Sequence, residues 1–105
     1  MSTTNVSTIP TKDDTKARLL GIEPQLRANG VTSLTLFGSV ARDEADEDSD
    51  VDLMFTYQGD FGMLTWGSVI RQIQDVLGRK ADVTPERSIK ARVWRTAQSD
   101  AIPIF

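Results

Sequence analysis

The sequence predicts a small α+β domain in which helices and strands alternate. Three observations carry that expectation. Two runs, Val31 to Phe37 and Asp50 to Tyr57, are rich in apolar and β-branched residues. A helical stripe lies between residues 62 and 77, and Gly or Pro stands at the junctions. A chain of 105 residues has room for one core, since autonomous domains usually hold about 100 to 200 residues.

Residues 1 to 12 are Ser/Thr-rich and are expected to be a flexible N-terminal segment, with the domain proper at 13 to 105. Asp13, Asp14 and Thr15 are good N-caps for a first helix whose apolar stripe includes Ala17, Leu20 and Leu26. Pro24 should kink or split that helix, and Asn29-Gly30 should end it. Val31 to Phe37 is the first strand, Gly38-Ser39 breaks it, and Val40 to about Ala45 has room for one helical turn. Asp50 to Tyr57 is the second strand.

Trp66, Val69, Ile70, Ile73, Val76 and Leu77 follow at spacings of 3, 1, 3, 3 and 1, the stripe of an amphipathic helix that Gly78 closes. Ala81 to Thr84 is a short third strand, and Pro85 starts a turn. Residues 86 to about 98 are expected to be a last helix, with Ile89, Val93 and Ala97 on one side. Tyr57, Trp66 and Trp94 sit at strand or helical spacing and read as core before they read as base-stacking platforms.

Composition removes much chemistry. Zero Cys and zero His exclude disulfides, thiolate nucleophiles, imidazole bases and most transition-metal sites. What remains is carboxylates, hydroxyls, Lys, Arg, Tyr and a hard, oxygen-preferring cation such as Mg²⁺. No apolar run approaches the roughly 18 residues of a membrane span. Met1 to Pro10 lacks the basic start and apolar stretch of a signal peptide, so a cytoplasmic location is expected.

The net charge of −3 is unevenly spread. Seven acids fall between Asp43 and Asp52, whereas six bases fall in the 17 residues from Arg79 to Arg95. The acidic balance argues against stable binding of nucleic acid. The basic run reads as a solvated helix face or a surface for a protein partner.

Strand geometry sets Asp50 and Asp52 on one face, with Val51, Leu53 and Phe55 on the other. Two carboxylates about 4 Å apart repel by roughly 4 kcal/mol at an effective dielectric near 20. Such a pair calls for a raised pKa, a basic partner or a divalent cation. An isolated Asp-x-Asp is ordinarily a solvated acidic turn, so context decides. An EF-hand fails: Asp46, Asp48 and Asp50 suit positions 1, 3 and 5, but Val51 stands where Gly is needed and Tyr57 where Glu is needed. The informative context lies upstream, where a strand runs into Gly38-Ser39 and ten residues separate that turn from Asp50-Val51-Asp52. Glycine admits close backbone approach, and Ser39 with adjacent amide groups can hold a phosphate.

The runs Leu36 to Ala45 and Ser49 to Leu53 resemble the Gly-Ser-x10-Asp-x-Asp signature of the DNA-polymerase-β-type nucleotidyltransferase superfamily. The likeness is greatest to the minimal nucleotidyltransferases (MNT), antitoxins of HEPN-MNT toxin-antitoxin pairs, and spans about residues 16 to 105. It implies a mixed sheet of about three to four strands with helices packed on it. It further implies that Gly38 and Ser39 form the nucleotide-phosphate turn and that Asp50 and Asp52 are metal-binding carboxylates. Asp82, by itself an edge-strand surface residue, matches the third carboxylate and is the general base available in a chain without His. Arg42, by itself a surface cation beside an acid, matches the family Arg that contacts the triphosphate. At Asp43 many relatives have Gly, which leaves the backbone path after Arg42 open.

The implied cofactors are two Mg²⁺ ions, with ATP as the nucleotide donor. The implied activity is transfer of AMP to a tyrosine hydroxyl of a cognate HEPN ribonuclease toxin, releasing pyrophosphate and silencing the toxin. Two alternatives stand beside it: transfer to a small molecule such as an aminoglycoside, for which 105 residues leave no acceptor domain, and neutralisation of the toxin by steric binding alone.

Overall fold

The computed structural model describes residues 9–105. Most of the expected N-terminal flexible segment therefore lies outside the described residues. The elements follow in the order α1 (Lys12–Leu20), α2 (Glu23–Ala28), β1 (Val31–Phe37), α3 (Gly38–Ala41), β2 (Val51–Tyr57), α4 (Met63–Leu77), β3 (Ala81–Pro85), a 3-10 turn (Glu86–Ser88), α5 (Ala91–Gln98) and β4 (Ile102–Pro103).

The four strands lie in the order β3-β2-β1-β4. β1 pairs antiparallel with both β2 and β4, whereas β2 pairs parallel with β3. The parallel step needs a crossover, which α4 supplies. Register then sorts the side chains. Leu34 opposes Phe55, Leu36 opposes Leu53, and Leu53 opposes Val83, so these share one face. That face is buried together with Leu19, Leu26, Val69 and Ile73 from the helices. The other face carries Thr35, Phe37, Asp52, Met54, Asp82 and Thr84. A bulge between Val31 and Ser33 inserts Thr32 into β1, and the hydroxyls of Thr32 and Ser33 both bond that of Thr56.

Several boundaries differ from expectation for identifiable reasons. Thr11, not a residue between 13 and 15, caps α1: its side chain accepts from the Asp14 N–H at 3.2 Å. The stripe of α1 runs through Thr15 and Leu19, both buried, while Ala17 and Leu20 face outward. Pro24 splits the helix as expected and sits in the first turn of α2, where its missing N–H leaves no bond unmade. Leu26 is buried with Leu19, seven residues earlier and so on the same side, and not with Leu20.

The last helix is shorter than the expected span of 86 to 98. Ile89 adopts an extended conformation with ψ of 126°, which halts the 3-10 turn, and the helix begins anew at Ala91. Val93 accordingly remains 43% exposed. At the edge of the sheet, the Trp66 indole N–H donates to the Val83 carbonyl at 2.9 Å. This bond gives a carbonyl of β3 a partner from α4.

Candidate active site

The turn after β1 is built on Gly38. Its φ of +78° is a conformation that L side chains adopt only with strain. Space excludes a side chain as well: a Cβ at Gly38 would overlap Oδ2 of Asp52 and stand 3.2 Å from its Cγ. α3 therefore begins directly at Gly38, not at Val40, and no side chain caps its N-terminus. Ser39 is half-buried in its first turn. Register explains the approach of the turn to the aspartate, because Phe37 at the end of β1 opposes Asp52 on β2.

Asp82 stands opposite Asp52 in the parallel β2–β3 ladder, so both carboxylates leave the same sheet face. Asp50 precedes the first residue of β2 and is exposed, whereas Asp52 is half-buried. Burial pushes the Asp52 carboxyl above its ordinary range, and the charges of Asp82 and then Asp50 push it the same way. Arg42 acts in the opposite direction. Gly38 lies against Asp52 and Asp82 stands opposite it in the ladder, while Asp50 and Arg42 are near enough for their charges to act on it.

The side chains are not gathered as a finished ligand set. Among the described residues no three acidic groups stand close enough to hold one ion together. The Asp82 carboxylate accepts from the Thr84 hydroxyl, two residues along the same face, at 3.3 Å. The chemistry of the donors still suits a hard divalent cation. They are all carboxylate oxygens, one of them destabilised in its ionised form, beside a cradle that a single Cβ would fill.

Arg42 has more partners than its sequence position suggested. Its Nε donates to Glu44 and its Nη1 to Asp100, each at 2.9 Å. These hydrogen bonds raise its already high pKa and hold it as a cation. Asp43 takes φ of +56°, the left-handed conformation that Gly would occupy without strain. Its carboxylate accepts from the Lys12 N–H at 2.9 Å, a favourable place for an acid at the start of α1. This contact fixes the chain after Arg42.

Residues that sequence reasoning did not single out also shape the site. Arg79, read as part of a solvated basic run, donates to the backbone carbonyls of Ser49 and Glu47. Asp100 anchors Arg42 from the far end of α5. Gly78, whose left-handed φ of +69° ends α4, marks the turn that carries Arg79, but no sequence signal marks its contact with residues 47 and 49.

A cleft of about 410 Å³ lies elsewhere, lined by Phe55, Thr56, Tyr57, Pro85, Glu86 and Arg87 at the opposite ends of β2 and β3. Thr56 is four residues from Asp52, about 13 Å along a strand. Chemistry favours the carboxylate end over this cleft, because there acids on neighbouring strands perturb one another.

Comparison with known proteins identifies the family and the fold. The chain matches the nucleotidyltransferase domain family over residues 19–103. It is 27% identical over 93 residues to protein adenylyltransferase MntA of Thermococcus cleftensis, covering 88% of this chain and 94% of that protein. A solved structure provisionally named a minimal nucleotidyltransferase is 29% identical with a TM-score of 0.76, covering 89% of this chain and 95% of the other. The structure of a tri-AMPylated HEPN toxin with its MNT antitoxin, from Shewanella oneidensis, contains a chain of TM-score 0.63. It covers 90% of this chain and 72% of that one at 13% identity, a likeness of fold alone. Because the family match runs from Leu19 in α1 to Pro103 in β4, it takes in all four strands and every candidate site residue, and the chain belongs to the nucleotidyltransferase domain family.

Proposed function

We propose that this protein is an adenylyltransferase antitoxin that moves AMP from ATP onto a tyrosine hydroxyl of a HEPN-family toxin and so silences it. The observation that carries this reading is the meeting of Gly38, Asp52 and Asp82 at one point of the sheet. Similarity along nearly the whole chain to a protein adenylyltransferase supports a protein as the acceptor.

Each residue has a task in that chemistry. Gly38, lacking a side chain, lets phosphate oxygens approach the backbone, and the amide groups and Ser39 hydroxyl at the start of α3 donate to them. Arg42 supplies positive charge beside the same turn. Asp50 and Asp52, with Asp82 adjoining, would hold two Mg²⁺ ions, which when bound neutralise the triphosphate and acidify the attacking hydroxyl. Asp82 accepts the tyrosine proton as the phenolic oxygen forms a bond to the α-phosphorus. The bond from that phosphorus to the bridging oxygen of the β-phosphate breaks, and pyrophosphate leaves.

The test is intact mass of the cognate toxin after incubation with the full chain, ATP and Mg²⁺. The expected result is a rise in steps of one AMP. A toxin that keeps its mass yet is still inhibited would replace this reading with steric occlusion, and transfer to an aminoglycoside in the same assay would replace it with small-molecule modification.

A further inference from the structure

We propose that Arg79 is the positioning residue that sets Asp50 in the site, an inference that rests on the metal-dependent transferase reading above. β2 begins at Val51, so no strand register fixes Asp50, which lies at the end of a loop holding five other acids from Asp43 onward. Repulsion within such a loop opposes any arrangement that brings Asp50 towards Asp52 and Asp82. Something outside the loop has to hold it.

Two consecutive residues do so. The peptide group before Asp50 is held through its carbonyl, because Arg79 Nη1 donates to Ser49 O at 2.9 Å and also reaches Glu47 O at 3.3 Å. The peptide group after Asp50 is held through its N–H, which Val51 donates to Lys80 O at 3.2 Å. Both peptide planes flanking the Asp50 Cα are therefore fixed, and only its side-chain torsions remain free. The loop adds its own brace, with Asp46 N donating to Ser49 Oγ and Ser49 N to Asp46 O. Gly78 and Arg79 thus turn the end of α4 into a clamp on the entry to β2.

A plain electrostatic role for Arg79 predicts the opposite sign. Removing a cation that bonds the peptide group before Asp50 should, by charge alone, strengthen the hold on a divalent ion. Loss of a clamp should weaken it, because the ligand is no longer held in place before the ion arrives. Lys80 separates the two effects. It carries the same charge next in sequence and bonds through its backbone carbonyl, which a side-chain replacement leaves intact.

The experiment is titration of the full-length protein with Mn²⁺ alone, at fixed ionic strength, followed by water-proton relaxation. Arg79→Gln is expected to weaken Mn²⁺ binding by roughly 10- to 100-fold, as for other partners that orient metal ligands. Lys80→Gln is expected to leave binding unchanged or tighten it, and amide exchange over residues 46 to 51 should quicken in the first variant only. Arg79→Gln binding as well as wild type or better overturns the clamp. Equal weakening by Lys80→Gln overturns it too. Arg79→Lys keeps the charge but ends one atom short of the Nη1 that meets both carbonyls; should Arg79→Gln not fold, wild-type affinity in Arg79→Lys overturns the proposal. Wild-type protein that binds no Mn²⁺ removes both this inference and the transferase reading. AMP transfer and Mn²⁺ binding by wild type, with Arg79→Gln unaffected, removes the clamp alone.

Discussion

Replacing Gly38 by Ala tests the geometry of the site without touching a charged group. Two penalties add. A non-glycine residue at φ of +78° costs about 1 to 2 kcal/mol in backbone strain. The new methyl group also overlaps the Asp52 carboxylate, which must leave its rotamer at about 0.5 to 1.5 kcal/mol. Gly59 isolates the second contribution: its φ is +75°, nearly the same, yet nothing lies within 4 Å of a Cβ built there. Gly38→Ala should therefore be the more destabilising of the two by about 1 kcal/mol, or roughly 4 to 8 °C in melting temperature for a domain of this size. Denaturant unfolding of both variants measures the difference. In an Asp52→Ala background the difference should vanish, because the atoms that the methyl group meets most closely are gone. Equal destabilisation of Gly38→Ala and Gly59→Ala, or a difference that survives in the Asp52→Ala background, would refute the close approach of the turn to Asp52.

Two further outcomes follow from the electrostatics and the turn. Asp52 has a folded pKa above its ordinary 3.8, so the metal-free fold binds its proton more tightly than the unfolded chain does. Stability from this group is complete below the unfolded value and is lost as pH rises through the raised folded one. Asp52→Asn should thus match or exceed wild type in metal-free stability at neutral pH, with the advantage shrinking as pH falls towards 3.8, while AMP transfer disappears. A variant less stable than wild type at neutral pH in urea melts would show that Asp52 has a structural role instead. Ser39→Ala should lower transfer efficiency by about 1 to 3 kcal/mol, the range for a hydrogen bond to a charged group, and leave toxin binding intact; unchanged kcat/KM for ATP would remove Ser39 from the phosphate turn.

Where residues act through period, the sequence was legible. β1, β2 and α4 emerge within a residue or two of their expected bounds because alternation and the 3.6-residue stripe report burial directly. The turn at Gly38 and the pair Asp50 and Asp52 were visible as types at a spacing, whereas Asp82 by itself read as a surface residue and was picked out only by the family resemblance. The inward face of α1 was missed: Leu19 and Leu26, seven residues apart, share the buried side, but the adjacent Leu20 is equally apolar and residue type did not separate them. β4 escaped because two residues, one of them Pro103, carry no alternation, and its place beside β1 is set by tertiary pairing. Arg79 and Asp100 were illegible for the same reason, since each acts on a loop or helix end distant in sequence.

The parallel pairing of β2 with β3 has a consequence for how the molecule comes into being. Asp52 belongs to an early hairpin-like pair, whereas Asp82 and the backbone contacts that hold Asp50 join it only after the crossover through α4 has closed. Closing that loop orders about two dozen residues before the new strand contributes any contact, which makes it a late event in assembly. A partly formed chain can therefore display the turn and Asp52, but it lacks a fixed Asp50 and the group proposed to take the proton. Competence for transfer arrives with completion of the sheet, so that an incompletely folded copy is silent rather than promiscuous.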